Sequence, residues 1–305
     1  MSTERVLTVL GNKATRPITD FMLTTVGLGK TFYVDSNNGD DGRSGLSPET
    51  CLATLDAAID KCTADDGDVI YLLPGHSETE ATASASIATM DVAGVTVIGL
   101  GDGDQMPTFT FTVATATFTI SAPDCRLSGV KFLSNIADLA VALTMAATSD
   151  NTIVEKCVFR DSAANKEQLV GISVAAAAHG VTIRDCDFRT TLAAGGNNAI
   201  LSAAVTDLNI ERNFIYGKFA TGGILTSGVL TRAKITDNIV VNAEEAIAIA
   251  LSGTTSTGVL ARNFLGGTTS IAAALTGDNA MWCYENYVTG APAASGLLNP
   301  TADAD

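Results

Sequence analysis

The sequence predicts an all-β solenoid, a single-stranded parallel β-helix with a capping helix at its N-terminal end. Three observations predict it. First, seven six-residue segments recur in the second half of the chain: LSGVKF, VEKCVF, IRDCDF, IERNFI, ITDNIV, LARNFL and CYENYV. They begin at Leu127, Val154, Ile183, Ile210, Ile235, Leu260 and Cys283, a period of 23 to 29 residues. Strand-forming repeats of that length stack as coils. Second, the first and sixth columns of the stacked segments are apolar, as inward positions of strands must be. Third, the third column reads Gly129, Lys156, Asp185, Arg212, Asp237, Arg262, Glu285, and its sign alternates from Lys156 onward. Strands stacked about 4.8 Å apart would set each charge beside two opposite ones and penalise a slipped register.

The fourth column holds Val130, Cys157 and Cys186, then Asn213, Asn238, Asn263 and Asn286. Stacked asparagines at a bend can bond to one another and tolerate left-handed backbone. They would form either a polar binding strip or a buried ladder that satisfies the turn; the ladder is the reading adopted. The two cysteines of this column read as small buried hydrophobes.

The elements follow in order. Residues 1–30 do not fit the repeat and form an N-terminal arm, either an unstructured tail or an attachment segment. Residues 31–76 form a capping strand–helix–strand. TFYV is a strand, DSNNGDDGRSGLSP a loop, and VIYLL a strand closed by Pro74-Gly75. Between them Leu52, Leu55, Ile59 and Cys62 recur at helical spacing, and that helix would cover the open end of the core. Residues 77–290 hold the coils, irregular to about residue 126 and regular after it. Residues 291–305 are a short tail.

The order FYVD, Gly/Asp-rich loop, ATLDAAID and GDVIYLLPG resembles the opening of right-handed parallel β-helix proteins of the pectate-lyase-like superfamily. VTVIGLG at Val95–Gly101 is similar to the next coil of that family. The resemblance spans about residues 31–290 and implies the right-handed β-helix. It does not imply one activity, because the superfamily includes lyases, hydrolases, epimerases, adhesins and phage spike or capsid-associated proteins.

Composition narrows the classes. The chain has 305 residues, 46% of them hydrophobic, and a formal net charge of −15. That acidity argues against a nucleic-acid partner and against an anionic membrane surface. No apolar run of about 18 residues predicts a membrane-spanning helix. The N-terminus lacks the pattern of a secretory signal, which predicts synthesis in a cytoplasm without export by that route. Six cysteines, at 51, 62, 125, 157, 186 and 283, lack zinc-site spacing and are expected to be free thiols.

Three chemistries could in principle be carried by these side chains. A polysaccharide lyase needs a base such as Lys156, Arg184, Arg212 or Arg262, yet each belongs to a charge-alternating column that explains it structurally. A glycoside hydrolase needs paired carboxylates. Asp185 and Asp187 are two residues apart on one strand, but the best aromatic cluster, Trp282, Tyr284 and Tyr287, lies elsewhere. A cation could sit in the loop Asp35, Asn37, Asp40, Asp41, which lacks the later Glu of a helix–loop–helix calcium site. No cofactor, catalytic residue or resident metal is therefore expected. His76 and His179 are isolated, so no nucleophile–His–acid set is expected either.

The resulting expectation is a structural component of a tailed-phage particle. It would be a homotrimeric head decoration or cement protein resting on the major capsid protein and located in the virion. The alternatives are a tailspike that binds or cleaves host-surface glycan and a free polysaccharide lyase.

Overall fold

Short apolar–polar alternations broken by two-residue corners give three stacks of strands rather than long hairpins. The computed structural model describes residues 29–83, 85–190, 195–243, 247–251, 255–266, 275–276, 281–289 and 296–298. The arm at 1–30, apart from Gly29 and Lys30, lies outside the described residues, as does most of the tail. Among the described residues the first sheet has ten strands, from Thr31–Val34 to Met281–Tyr284. The second sheet also has ten, from Ser77–Glu80 to Gly296–Leu298, and the third has eight, from Ser86–Met90 to Leu275–Thr276. The chain visits the sheets in rotation and, except for the last strand at 296–298, the strands pair in parallel with their equivalents one coil away. This is the right-handed parallel β-helix; parallel crossovers almost always take that hand.

The register is the one the columns demand. Val154 pairs with Leu127 and Ile183, and the column continues through Ile210, Ile235, Leu260 and Cys283. The sixth column pairs Phe132, Phe159, Phe188, Ile215, Val240, Leu265 and Val288 in the same way. These sixth-column residues are buried along the axis of the coils. Their phenyl rings stack: Phe132 on Phe159 at 4.9 Å, and Phe159 on Phe188 at 4.4 Å with planes 8° apart. Equal side chains one coil apart have no other place for their rings.

The N-terminal cap is shorter than the helical spacing suggests. The helix spans only Leu55–Ile59, capped by Thr54, whose hydroxyl accepts from the Ala57 N–H. Leu52 precedes the helix, bridging to Val34, and Cys62 follows it. Leu52, Leu55 and Ile59 are nevertheless buried, with Cys62 half-buried against the same core. The helix packs against strands Thr31–Val34, Val69–Leu72 and Ser86–Met90. It thus lies beneath the first strand of the third sheet, covering apolar surface that an unpaired end would expose. Strands 31–34 and 69–72 are themselves the first two rungs of the first sheet, so residues 31–76 merge with the solenoid. At the other end Gly296–Leu298 pairs antiparallel with Asn286–Thr289, and this reversal covers an otherwise open sheet edge.

Candidate functional site

Each six-residue segment is a corner, not a single strand. Its first two residues end a strand of the first sheet and its last two begin one of the second. The third residue takes the left-handed conformation: φ is +53° at Lys156, +54° at Asp185, +53° at Arg212, +61° at Asp237, +54° at Arg262 and +52° at Glu285. The left-handed geometry therefore belongs to the charged column and not to the asparagines beside it. It costs a non-glycine residue about 1–2 kcal/mol, so the neighbouring contacts must hold it in place.

The asparagines do so. The Asn213 backbone N–H and its Nδ2 both donate to Asn238 Oδ1 at 3.0 Å, and Nδ2 also donates to the Ile183 carbonyl. Asn238 bonds in the same way to Asn263 and the Ile210 carbonyl. Asn263 repeats the pattern with Asn286 and the Ile235 carbonyl. Asn286 donates to the Leu260 carbonyl, and the Cys186 N–H closes the other end on Asn213 Oδ1. All four are buried, which leaves no amide face for a ligand.

The charged column does not form a continuous ladder. Arg212 binds Asp185 through two hydrogen bonds, at 2.9 and 3.0 Å, and Arg262 binds Asp237 through two at 2.7 Å. The charges pair off because a guanidinium engages one carboxylate with both prongs and an aspartate is too short to reach the next coil as well. No ion pair holds Lys156 or Glu285 among the described residues. Asp185 and Asp187 lie on opposite sides of a corner, not together on a strand: Asp187 belongs to the second sheet and pairs with Arg160 at 2.6 Å and Arg189 at 3.0 Å.

The first sheet carries its own clamp. Glu155, buried, lies between Arg126 and Arg184, the latter at 2.6 Å. Burial pushes its carboxyl upward, but hydrogen bonds from Arg126 and Arg184 and their charges outweigh this and hold it below the ordinary carboxylate range. Glu211 is held low in the same way, burial opposing Lys234 and Arg212. Of the four candidate lyase bases, Arg184, Arg212 and Arg262 are thus ion-paired between coils.

The acidic loop is organised by its own backbone. Asp35 accepts from Asn37 N–H and Asn38 Nδ2, Asp40 from Gly42 N–H, and Asp41 from Ala53 N–H, Thr54 N–H and the Thr54 hydroxyl. Among the described residues no group of three His, Cys, Asp or Glu side chains is placed to hold a metal ion. Sequence reading missed the role of His76. It is buried, accepts from Ser36 N–H at Nδ1 and donates from Nε2 to Glu78 at 2.8 Å. Glu78 in turn accepts from the Leu55 N–H at the start of the capping helix. The signal was present in the spacing H-S-E, which places both side chains on one face of a strand. The thiols are no better placed for catalysis: burial pushes Cys62 up to about 12 and Cys125 up to about 11. A cavity lined by Phe159, Asp161, Gln168, Phe188, Arg189 and Phe219 is water-sized, too small for a sugar ring.

Two outer faces remain. On the second sheet Phe214, Ile239, Phe264 and Tyr287 stack in register, with Tyr216 and Val241 alongside. Ile239 and Phe264 are each 42% exposed, Tyr287 52% and Tyr216 38%. Around the corner Trp282, 77% exposed, and Tyr284 continue the apolar surface onto the first sheet. The third sheet is the opposite in character. Its strands at 86–90, 117–120, 143–145, 170–174, 198–202, 224–226 and 249–251 contain no charged residue. Its outward column runs Thr89, Thr119, Thr144, Ser173, Leu201 and Leu225, each half-buried, and continues to a buried Ala250.

Fold and faces together define a parallel β-helix whose charges serve its own stacking. No family model and no curated protein matches the chain. Among solved structures, a rhamnogalacturonan lyase is similar at 11% identity and a TM-score of 0.44, covering 90% of this chain and 90% of that one. A GH136 lacto-N-biosidase from Eubacterium ramulus is similar at 12% identity and a TM-score of 0.46, covering 93% of this chain and 73% of that one.

Proposed function

We propose that this protein is a non-catalytic structural rod that assembles side by side as a homotrimer and decorates the head of a tailed-phage particle, on the major capsid protein. The observation that carries the reading is the engagement of the acid–base side chains on the solenoid faces. Glu155, Asp185, Asp187, Glu211 and Asp237 are each held by a basic partner, mostly on a neighbouring coil. Such groups fix the register of a rod and are engaged with one another rather than poised to donate or accept a proton. The charge-free third sheet supports lateral packing, since a chain of net charge −15 repels its copies elsewhere.

The test is the solution mass of the full chain and of a chain beginning at residue 31, with co-sedimentation of each on assembled phage heads. The reading expects trimers in both cases and head binding that needs residues 1–30. A monomer, or a trimer that ignores heads, overturns it.

The exposed rings of Trp282, Tyr284 and Tyr287 favour a second reading, a tailspike that binds or cleaves host-surface glycan. Binding of a surface polysaccharide that Trp282→Ala abolishes would select it. The third reading, a free lyase, predicts new ultraviolet absorbance from an unsaturated uronate product.

A further inference from the structure

We propose that the copies of the trimer meet through two different faces of the chain, the apolar stripe of the second sheet lying against the third sheet of the next copy. The inference rests on the lateral-assembly reading and names its contact surface. A closed ring of three copies requires a head-to-tail contact in which the two faces differ. The fold offers two such faces. One bears protruding side chains, Tyr216, Ile239, Phe264 and Tyr287, beside a half-buried Phe214 whose ring is covered by the Arg189 guanidinium, and the other bears small or aliphatic ones without charge. Four members of the stripe, Tyr216, Ile239, Phe264 and Tyr287, are 38–52% exposed and adjoin one another, unlike the scattered single apolar residues of an ordinary surface.

Height along the rod decides the match. Rotation about an axis parallel to the solenoid keeps every coil level with its equivalent in the next copy. Leu225 belongs to the same coil as Phe214 and Tyr216, and Ala250 to the same coil as Ile239. The apolar end of the third-sheet column therefore comes level with the apolar stripe. Its Thr end comes level with the polar second-sheet positions Ser77, Thr108 and Lys131; above them Ser173 comes level with Val158 and Leu201 with Asp187, so the match of character begins at Leu225. Charge points the same way. Residues 30–125 contain 15 acidic and three basic side chains, whereas residues 126–289 contain 14 acidic and 12 basic ones. Parallel copies repel along the first stretch, so the attraction must reside in the second, where the stripe lies.

The experiment measures the mass of the full-length chain by light scattering. It compares the parent with Tyr216→Glu, Leu225→Arg and the double variant, with circular dichroism and melting of each as the folding control. The expected result is a trimer for the parent, a threefold loss of mass in both single variants, and recovery in the double variant, where opposite charges face each other across the contact. A trimeric parent whose single variants stay trimeric overturns this contact and leaves lateral assembly standing. Dissociation of both singles without recovery in the double overturns the pairing of these two faces. A monomeric parent overturns lateral assembly and the contact with it.

Discussion

The corner between the first and second sheets is filled in two ways along the same rod. In the coils at 127–188 the buried corner residue is Val130, Cys157 or Cys186, and the core beside it is the phenyl stack of Phe132, Phe159 and Phe188. In the coils at 210–288 the corner residue is asparagine and the core beside it is Ile215, Val240, Leu265 and Val288. The difference separates two sources of register. Stacked rings tolerate small shifts, and in the first stretch the buried Glu155 clamp between Arg126 and Arg184 ties three coils together, where Glu211 in the second stretch joins Lys234 of one neighbouring coil. An amide ladder is directional and fixes each coil against the next, so the second stretch can use smaller side chains in the core.

The largest effect in this comparison is expected at the ring stack. Phe159→Ala removes the middle ring and should lower stability by about 4 kcal/mol, read from denaturant unfolding. A loss under about 1 kcal/mol would show that the stack is not what holds the first stretch. Next comes Asn238→Ala. It leaves the buried Asn213 N–H and one hydrogen of its amide without an acceptor and takes one donor from the Ile210 carbonyl, and should cost about 3 kcal/mol. Hydrogen exchange should quicken around residues 210–240 first, and uniform exchange would deny the ladder its local role.

Acid should act on the ion pairs with a defined sign. Glu155, Glu211 and Asp237 are held below their ordinary range, the last chiefly by its hydrogen bonds from Arg262. A depressed carboxyl contributes stability in full above its unfolded value, about 4, and that contribution is lost as pH falls through the lower folded value. The melting temperature should therefore hold level down to about pH 4.5 and fall below it, by less in Glu155→Gln than in the parent. An equal fall in both would remove Glu155 from the account.

The smallest effect sharpens the comparison. Cys186 already donates its N–H to Asn213 Oδ1, and its Sγ lies 3.8 Å from the Val154 carbonyl, the position an asparagine amide takes one coil on. Cys186→Asn should extend the ladder at a cost below about 1 kcal/mol, whereas Asn238→Cys should be as damaging as Asn238→Ala. A large loss from Cys186→Asn would mean that the two stretches cannot exchange their corners.

Much of the fold was legible because a solenoid writes one constraint many times. One six-residue segment is ambiguous, but seven in register reveal which positions face inward and which neighbours touch. The capping region was legible only in outline, since Leu52, Leu55, Ile59 and Cys62 share a buried side without sharing a helix. The candidate faces were less legible. The aromatics Trp282, Tyr284 and Tyr287 stood out, but Phe214, Tyr216, Ile239 and Phe264 join them only through stacking across 23 to 25 residues.

The sequence by itself determined the repeat, the inward columns and the buried asparagine column, because periodic burial leaves a periodic pattern. Only the tertiary structure decided that the charged column sits at left-handed corners, that its charges close into separate pairs, and that Asp185 and Asp187 part around a bend. A column of letters records which residues are neighbours. The backbone angle at the corner and the reach of each side chain decide which neighbours bond.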